Sequence, residues 1–270
     1  MDRRLTPFSG EVAHVSLQGR IDAVRFTEGE PAQVRVPLAD LLRAPGGARE
    51  RQVLMGDGFL VIDRREGHAF GRAAKDGYCG WLPEGALAPE APVTHVVTAP
   101  ATHLYAGPRV QDRDLASLSF GAKVRVIGEA RNFYETPEGW VPVPHLAPVD
   151  HRFDDPVAVA LMFLGTPYLW GGNSRAGIDC SGLVQAALLA CGIPCPGDSD
   201  LQQELGHAVN EDLRRGDLLF WKGHVAMAVD ADTMIHANGH HMAVAIEPIA
   251  ATLARIEAAG GGPLTARRRV

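Results

Sequence analysis

The sequence lacks the features of a membrane-spanning or nucleic-acid-binding protein. No stretch of its 270 residues approaches the roughly 18 consecutive apolar residues of a membrane helix. The formal net charge is -6, and the longest basic run is Arg267–Arg268–Arg269 near the end of the chain. We expect this run to be a solvated tail, because three arginines do not make the basic patch that nucleic-acid recognition needs.

Cysteine is also scarce. The chain has four cysteines, Cys79, Cys180, Cys191 and Cys195. Their spacing shows neither a disulfide framework nor a Cys-x-x-Cys pair. The N-terminal segment has two early arginines but no continuous apolar stretch and no small-residue cleavage site, so we identify no signal peptide. These absences predict a reduced, cytoplasmic protein.

One motif occurs twice. Residues 80–89 read GWLPEGALAP and residues 139–148 read GWVPVPHLAP. Upstream of each copy, a glycine precedes alternating or β-branched residues, in GDGFLVID from residue 56 and GAKVRVIG from residue 121. Short strands that end in an aromatic–proline turn predict two copies of a small β-barrel, each about 60 residues long.

The pattern changes after Pro148. Asp155 followed by Pro156 is typical of a helix start, and we predict that this helix ends at Gly165. A second helix is predicted from near Cys180, and a short third helix from residues 198–200 to Gly206. The apolar face of the second helix comprises Leu183, Val184, Ala187, Leu188 and Cys191. Four strand patterns follow, LLFW, HVAMAVD, TMIHAN and MAVAIEPI, so the order predicts an α+β domain.

Cys180 lies where a glycine-rich loop ends and the second predicted helix begins. The unpaired N–H groups of a helix N-terminus favour a thiolate and can hold the oxyanion of an acyl-transfer intermediate. The glycines before it, Gly171, Gly172 and Gly177, let a substrate approach the backbone closely. A free cysteine is more often a small buried apolar residue, which is our interpretation of the other three. The position of Cys180 favours a nucleophile.

A thiol nucleophile needs a base, and the base needs an orienting partner. His224 opens the strand HVAMAVD, and His236 lies across a predicted hairpin in TMIHAN. The two rings face the same way only if the turn around residues 230–232 has odd length or contains a bulge, which the sequence leaves open. A zinc site that combines His236 with His240 and His241 is disfavoured, because it lacks a His-Glu-x-x-His arrangement and a fourth ligand.

Three segments together resemble a known family. They are GTPYLWGGNSRAGIDCSGLVQ, RRGDLLFWKGHVAMAVD and MIHANGHHM, and they resemble the NlpC-type cell-wall cysteine peptidases. The most specific match is DCSG behind Tyr-x-Trp-Gly-Gly. The resemblance implies a papain-like domain in which Cys180 is the nucleophile, His224 the base and His236 the residue that orients His224, with no metal or cofactor.

The resemblance also implies bacterial SH3-like domains ahead of the catalytic domain. The predicted fold is therefore multidomain, with two small SH3-like β-barrels followed by an α+β papain-like domain. We predict a lead-in that packs on the first barrel (residues 1–30), the first barrel (31–90), the second barrel (91–150) and the catalytic domain (151–270).

Family members with this layout cleave the bond between γ-D-glutamate and a diamino acid, such as meso-diaminopimelate, in peptidoglycan stem peptides. Some require a free N-terminal L-Ala, which acidic and hydroxyl groups hold and a tyrosine of the first SH3-like domain caps. The matching residues are Tyr78, Tyr168, Asp179, Ser181, Asp198 and Ser199, with Glu50 as a further acidic candidate. A buried ammonium needs a carboxylate, so a blocked peptide would be rejected. This selectivity suits a cytoplasmic enzyme of murein peptide recycling.

Several of these residues allow simpler interpretations. Asp198 or Ser199 can cap the following helix, and Asp179 can brace the turn before Cys180. Tyr78 can lie on the barrel surface beside a core Trp81. Tyr168 and Trp170 can be packing residues of the loop, and we favour packing for Trp170.

Two other functions remain open from the sequence. One is a papain-like amidase or acyltransferase. The other is a catalytically silent module that binds cell-wall peptides through its SH3-like domains. The joint presence of Cys180, His224 and His236 favours the peptidase, whereas the preferred diamino acid and the oligomeric state are not determined.

Overall fold

The structure is a computed structural model that describes residues 1–270. It divides into two compact units, Met1–His151 and Arg152–Val270. None of its helices combines the length and apolar character that a membrane span requires.

The first unit is built from short strands. Its strands are β1 Val12–His14, β2 Arg25–Thr27, β3 Glu30–Val34, β4 Leu38–Leu42, β5 Arg49–Leu54, β6 Gly58–Arg65, β7 His68–Ala73, β8 Cys79–Pro83, β9 Leu87–Pro89, β10 His95–Val97, β11 Ala101–Tyr105, β12 Asp114–Ser119, β13 Lys123–Val124, β14 Gly128–Ala130, β15 Phe133–Thr136, β16 Gly139–Pro142 and β17 Leu146–Pro148. One sheet has the order β5-β4-β8-β7-β6-β3-β9, and two further sheets have the orders β12-β11-β16-β15-β14 and β13-β10-β17.

The two copies of the repeated motif fold alike. In the first, β8 leads into a 3-10 turn, Glu84–Ala86, and then β9; in the second, β16 leads into Val143–His145 and then β17. Pro83 and Pro142 occupy the N-cap of each turn with nearly equal φ angles, -54° and -57°. The proline ring fixes φ in this range, so the shared sequence enforces a shared bend.

Two apolar cores hold this unit together. Residues of β3 to β8 and the turns around them, such as Val34, Leu41 and Phe59, form one core. The other contains Leu104, Leu118 and Val141 from residues 91–150, but also Leu54 and Met55 from residues 31–90. Residues 31–90 therefore supply part of the second core, which joins the two segments into one compact unit.

The lead-in, residues 1–30, packs on residues 31–90, as predicted. Val12 lies in an apolar cluster with Ile62, Phe70 and Trp81. The carbonyl of Arg4 accepts a hydrogen bond from the N–H of Cys79 at 2.6 Å.

The second unit has helices first and a sheet after them. Its elements are α1 Pro156–Leu161, β18 Asn173–Ser174, β19 Gly177–Ile178, α2 Cys180–Ala190, α3 Ser199–Gln202, β20 His207–Ala208, β21 Leu218–Trp221, β22 His224–Ala228, β23 Thr233–Asn238, β24 Ala243–Pro248, α4 Ile249–Ala258 and β25 Ala266–Arg269. The main sheet has the order β20-β25-β21-β22-β23-β24, and all its pairings are antiparallel.

The first helices begin as predicted and end earlier. Asp155 caps α1 by accepting a hydrogen bond from the N–H of Val157 at 2.9 Å. The helix ends at Leu161 rather than Gly165, because hydrogen bonds from Phe163 to Ala160 and from Leu164 to Leu161 tighten the chain into turns. Likewise α3 ends at Gln202 rather than Gly206.

The C-terminal segment corrects the prediction of a solvated tail. Arg267, Arg268 and Arg269 lie in β25, which pairs with β21. The guanidinium of Arg269 contacts the buried carboxylate of Asp217 at 2.7 Å. The arginine run is therefore part of the sheet, and the helix before it, α4, was also not predicted.

Candidate active site

Cys180 is the first residue of α2, as predicted, and Asp179 is its N-cap. One carboxylate oxygen of Asp179 accepts hydrogen bonds from the N–H of Gly182 at 2.6 Å and from the hydroxyl of Ser181 at 3.0 Å. The other oxygen accepts the N–H of Gly171 at 2.9 Å. The interpretation of Asp179 as a brace for this turn is confirmed, and Ser181 belongs to the same brace.

The loop before Cys180 packs tightly on the helix. A Cβ on Gly182 would lie 2.5 Å from the carbonyl oxygen of Gly172, and a Cβ on Gly172 would lie 2.6 Å from the carbonyl oxygen of Gly177. Both distances are too short for a real side chain. The glycines here allow the loop and the helix to approach each other, and this contact fixes the start of α2.

Cys180 is buried, with 7% of its surface exposed. Burial raises its pKa to about 12, and the nearby carboxylate of Asp179 adds to the rise. Hydrogen bonds from the backbone N–H groups of Val225, Ser181 and Cys180 act in the opposite direction. The sequence predicted a helix terminus that favours the thiolate; in the structure desolvation outweighs the N–H groups, so the resting thiol is protonated.

The structure answers the open question about His224 and His236. Ala228 pairs with Met234, so residues 229–233, an odd number, separate the paired positions. With this register both imidazoles lie on one face of the sheet. Their rings contact edge to face, and His224 Nε2 lies 2.8 Å from His236 Nδ1.

Two residues that the sequence did not single out continue this contact. Glu247 Oε2 lies 2.6 Å from His236 Nε2 and 2.7 Å from Arg255 Nη2. Glu247 is on β24 opposite Met234, two positions along from His236, and Arg255 is on α4. The only sequence signal for Glu247 is its place in the predicted strand MAVAIEPI. Arg255 could not be placed from the sequence, because its helix, α4, was not predicted.

Burial controls the protonation of these groups. It lowers the pKa of His224 to about 3, and the neighbouring His236 adds to the shift. It also lowers the pKa of His236, which is 1% exposed, although Glu247 opposes the change. Burial acts to raise the pKa of Glu247, but the hydrogen bond from His236 and the charge of Arg255 outweigh it, so this pKa is lowered. At neutral pH the pair is two neutral imidazoles beside a carboxylate.

Tyr168 lies near Cys180. Burial raises the pKa of its phenol to about 12, and Cys180 and Asp179 are close enough to add to the rise. The backbone of Tyr168 is held by a bridge to Ile178. Trp170, which we expected to pack in the loop, is instead 70% exposed.

Asp198 and Ser199 lie at the start of α3. Asp198 occupies the N-cap position, but its side chain makes no capping hydrogen bond, so the interpretation of Asp198 as a helix cap is wrong. Ser199 is the first helical residue and is buried. The helix is attached to α2 through Gln202, whose amide donates to the carbonyl of Ser181 at 2.9 Å.

Tyr78 and Glu50 lie in the first unit. Tyr78 is 3% exposed and belongs to the first apolar core, which rules out the interpretation as barrel surface. The guanidinium of Arg51 lies over its ring, 5.8 Å from the centroid. Glu50 accepts a hydrogen bond from Arg3 at 2.8 Å and forms an ion pair with it.

The geometry suits acyl transfer through a thiol. Cys180, at the N-terminus of α2, lies beside the strand that carries His224, because the N–H of Val225 reaches its sulfur. His224 in turn is oriented by His236. This is the arrangement of nucleophile, base and orienting group that covalent catalysis needs. No group of three or more His, Cys, Asp or Glu side chains is arranged to hold a metal ion.

Comparison with known proteins agrees with this geometry. A sequence model of the NlpC/P60 family matches residues 165–255. The gamma-D-glutamyl-L-lysine dipeptidyl-peptidase of Bacillus cereus is 31% identical over 243 residues, which cover 74% of this chain and 70% of that protein. The chain belongs to the NlpC/P60 family. It is thus a hydrolase of a cysteine peptidase family, as the resemblance of its motifs implied.

The match extends beyond the NlpC/P60 domain. A model of the bacterial dipeptidyl-peptidase Sh3 domain matches residues 41–87, so an SH3 domain precedes the NlpC/P60 domain. The corresponding Bacillus subtilis enzyme is 31% identical, over 60% of each chain. A crystal structure of an NlpC/P60 family protein from Bacillus cereus superposes with a TM-score of 0.75 at 26% identity, covering 89% of this chain and 99% of that one.

Proposed function

We propose that this protein is a cysteine endopeptidase that hydrolyses the bond between γ-D-glutamate and a diamino acid in peptidoglycan stem peptides. The observation that carries the proposal is the 2.8 Å contact between His224 Nε2 and His236 Nδ1. His224 opens β22, the strand whose Val225 N–H reaches the sulfur of Cys180. The names of the two Bacillus relatives supply the bond, since both are gamma-D-glutamyl-L-lysine dipeptidyl-peptidases.

In the proposed acylation step, the sulfur of Cys180 attacks the γ-carbonyl carbon of D-glutamate while His224 takes the thiol proton. The carbonyl electron pair moves onto oxygen, and backbone N–H groups at the start of α2 stabilise the oxyanion. The intermediate collapses as the C–N bond breaks. The amine of the diamino acid leaves with the proton from His224, and a thioester to Cys180 remains.

Deacylation reverses these roles. His224, again neutral, takes a proton from water as the oxygen attacks the thioester carbonyl carbon. The C–S bond then breaks, the sulfur recovers the proton from His224, and the dipeptide acid is released. His236 orients His224 in both steps and is not itself consumed.

We propose that the substrate carries a free N-terminal L-Ala. A cationic α-amino group in a partly buried site needs a carboxylate. Asp198 is the proposed partner, because both carboxylate oxygens of Asp179 already accept hydrogen bonds from residues around Cys180. Tyr168 lies close enough to Cys180 for contact with the scissile region. The binding roles of Ser181, Ser199, Tyr78 and Glu50 stay predictions.

We also propose a finer architecture than the family match requires. Residues 91–150 are proposed as a second bacterial SH3-like domain, which the shared strand, 3-10 turn and strand of the two motifs support. The NlpC/P60 domain is proposed to be papain-like, with α2 carrying the nucleophile. Recycling of murein peptides and a cytoplasmic location belong to the same proposal.

The test is mass spectrometry of two tripeptides after incubation with the protein. They are L-Ala-γ-D-Glu-meso-diaminopimelate and L-Ala-γ-D-Glu-L-Lys, each also in N-acetylated form. Cys180→Ala serves as the inactive variant, and Cys191→Ala as the matched control, because Cys191 lies at the other end of α2 and is only partly buried.

Release of the dipeptide L-Ala-D-Glu from a free peptide, lost in Cys180→Ala and kept in Cys191→Ala, is the expected result. Equal cleavage of acetylated and free peptides would keep the peptidase and remove the proposed role of Asp198. No cleavage of any peptide, with turnover of a simple amide or acyl donor instead, would favour the amidase or acyltransferase. No turnover at all would favour the silent binding module.

A further inference from the structure

Glu247 ends a series of hydrogen-bonded side chains that starts at His224. His224 Nε2 contacts His236 Nδ1 at 2.8 Å, and His236 Nε2 contacts Glu247 Oε2 at 2.6 Å. Arg255 donates to the same oxygen at 2.7 Å. The series therefore uses both ring nitrogens of His236, one toward the histidine base and one toward a carboxylate.

A carboxylate at this end determines where every proton in the series lies. An ionised carboxylate only accepts hydrogen bonds, so His236 must carry its proton on Nε2. A neutral imidazole has one N–H, and its Nδ1 is then an acceptor. His224 must donate to that acceptor from its own Nε2. The Nδ1 of His224 is consequently left with a free lone pair.

We propose that Glu247, held by Arg255, is a positioning residue that fixes the tautomers of His236 and His224 and leaves Nδ1 of His224 as the base. The inference rests on the proposed function in one respect, namely that His224 takes the thiol proton. Glu247 does not touch the substrate, and no proton moves onto it at any step.

Two features of the surroundings favour a tautomer-fixing role over a simple ion pair. Arg255 and Glu247 alone would form an ordinary surface pair, but Oε2 also accepts from a histidine that is 1% exposed. The hydrogen bond from His236 and the cation of Arg255 together lower the pKa of Glu247, so its carboxylate is ionised and only accepts hydrogen bonds. His241 Nδ1 lies farther from the same oxygen, at 3.7 Å, so the charged or titratable groups near Glu247 are His236, Arg255 and His241.

The same series stabilises the charge that forms during acylation. When His224 takes the thiol proton, it becomes an imidazolium that still donates from Nε2 to His236. His236 stays neutral and still donates to Glu247. The negative charge of Glu247 thus acts on the imidazolium through an oriented neutral ring, as the buried aspartate does for the histidine of a serine protease.

The experiment reads the tautomers directly in the absence of substrate. Long-range ¹H–¹⁵N correlation spectra of the uniformly ¹⁵N-labelled full chain distinguish Nδ1–H from Nε2–H in neutral histidine rings. Spectra of His224→Gln and His236→Gln assign the two rings. The variants under test are Glu247→Gln, which removes the charge at nearly constant shape, and Glu257→Gln. Glu257 is an exposed glutamate on the same helix as Arg255 and serves as the control.

The expected result has three parts. In the wild type both rings are Nε2–H tautomers, and in Glu247→Gln one or both show Nδ1–H. In Glu247→Gln kcat falls by about 10- to 100-fold with little change in KM, because ring orientation and not substrate binding is lost. Glu257→Gln keeps the wild-type spectrum and rate.

Two results would overturn the inference. One is an Nδ1–H tautomer of His224 in the folded wild type. The other is a Glu247→Gln variant that keeps both Nε2–H tautomers and the full kcat. Since the spectra need no substrate, the inference can fail or survive independently of whether the stem peptides are cleaved. A melting curve of each variant shows that a lost rate is not lost folding.

Discussion

Burial shifts the pKa values of Cys180 and His224 in opposite directions. It raises the pKa of the Cys180 thiol and lowers that of the His224 imidazole, so both rest in their neutral forms. A neutral thiol is a weak nucleophile, and the thiolate must therefore form as the sulfur attacks. The advantage is a base that stays unprotonated well below neutral pH, and a thiol that resists unwanted oxidation or alkylation.

This protonation state predicts a flat acid side of the pH–rate profile. An ordinary histidine base gains its proton near pH 6.5 and loses activity there. The pKa of His224 lies at about 3, so the base stays neutral as the pH falls through 6.5. We expect kcat/KM to change by less than about threefold between pH 7 and about pH 5.

The measurement is kcat/KM at half-unit intervals, with near-ultraviolet circular dichroism as a control for folding. The control matters because His224 and His236 bind protons near pH 6.5 only in the unfolded chain. The free energy of unfolding therefore decreases as the pH is lowered through 6.5. A tenfold loss of activity per pH unit beginning near pH 6.5, in protein that is still folded, would contradict the prediction.

At the scale of single elements, the N-terminus of α2 is held by one side chain. Asp179 satisfies the N–H groups of Gly171 and Gly182 and the hydroxyl of Ser181. The same carboxylate also disfavours a thiolate on Cys180. The element therefore has a conflict between its stability and the reactivity of its first residue, and the two effects can be separated by mutation.

We expect Asp179→Ala to lower the free energy of unfolding of the second unit by about 1–2 kcal/mol, through loss of the cap. We also expect faster alkylation of Cys180 by iodoacetamide at neutral pH, because removal of the charge lowers the pKa of the thiol. Chemical denaturation measures the first effect, and peptide mass mapping of the alkylated cysteine measures the second.

Asp155→Ala is the matched control, since Asp155 caps α1 in the same way. It should cost a similar amount of stability and leave the alkylation rate of Cys180 unchanged. A rate for Asp179→Ala equal to or below that of the wild type, in folded protein, would show that the carboxylate does not oppose the thiolate.

At the scale of the whole molecule, the first unit depends on a buried charge cluster. Asp57 is buried and lies 2.9 Å from Lys123 Nζ and 3.3 Å from Lys75 Nζ. It also accepts the N–H of Leu54 at 3.0 Å. Burial acts to raise the pKa of Asp57, but the two lysines outweigh it and hold the pKa well below its usual range. Since Asp57 lies in residues 31–90 and Lys123 in residues 91–150, this cluster links the two parts of the first unit.

Asp57→Asn should destabilise the first unit by about 3 kcal/mol, because it leaves two partly buried ammonium groups without their carboxylate. Asp22→Asn removes an exposed carboxylate of the same unit and should cost almost nothing. The measurement is urea denaturation, followed by fluorescence. Because the folded pKa of Asp57 is depressed, its contribution is present above about pH 4 and is lost as the pH falls further. Equal stability of the two variants would contradict a stabilising cluster.

Local patterns were sufficient for the parts of the molecule that depend on neighbours in sequence. The cap of α1 at Asp155, the start of α2 at Cys180 and its apolar face of Leu183, Val184, Ala187 and Leu188 follow from spacing and from backbone groups a few residues away. The repeated bend after Pro83 and Pro142 has the same origin, since a proline ring restricts its own φ angle. Each of these features is settled within one or two turns of chain.

Only the tertiary structure decided how distant residues meet. The register of β22 and β23 aligned His224 with His236, and β24 and α4 brought Glu247 and Arg255 to them, because strand pairing depends on a hairpin and on a helix that no local pattern revealed. Burial, which reverses the expected ionisation of Cys180, and the pairing of the C-terminal arginines with β21 likewise depend on the folded chain. The sequence by itself thus determined which residues could react, whereas tertiary contacts decided their protonation and their partners, since desolvation and register arise only from packing.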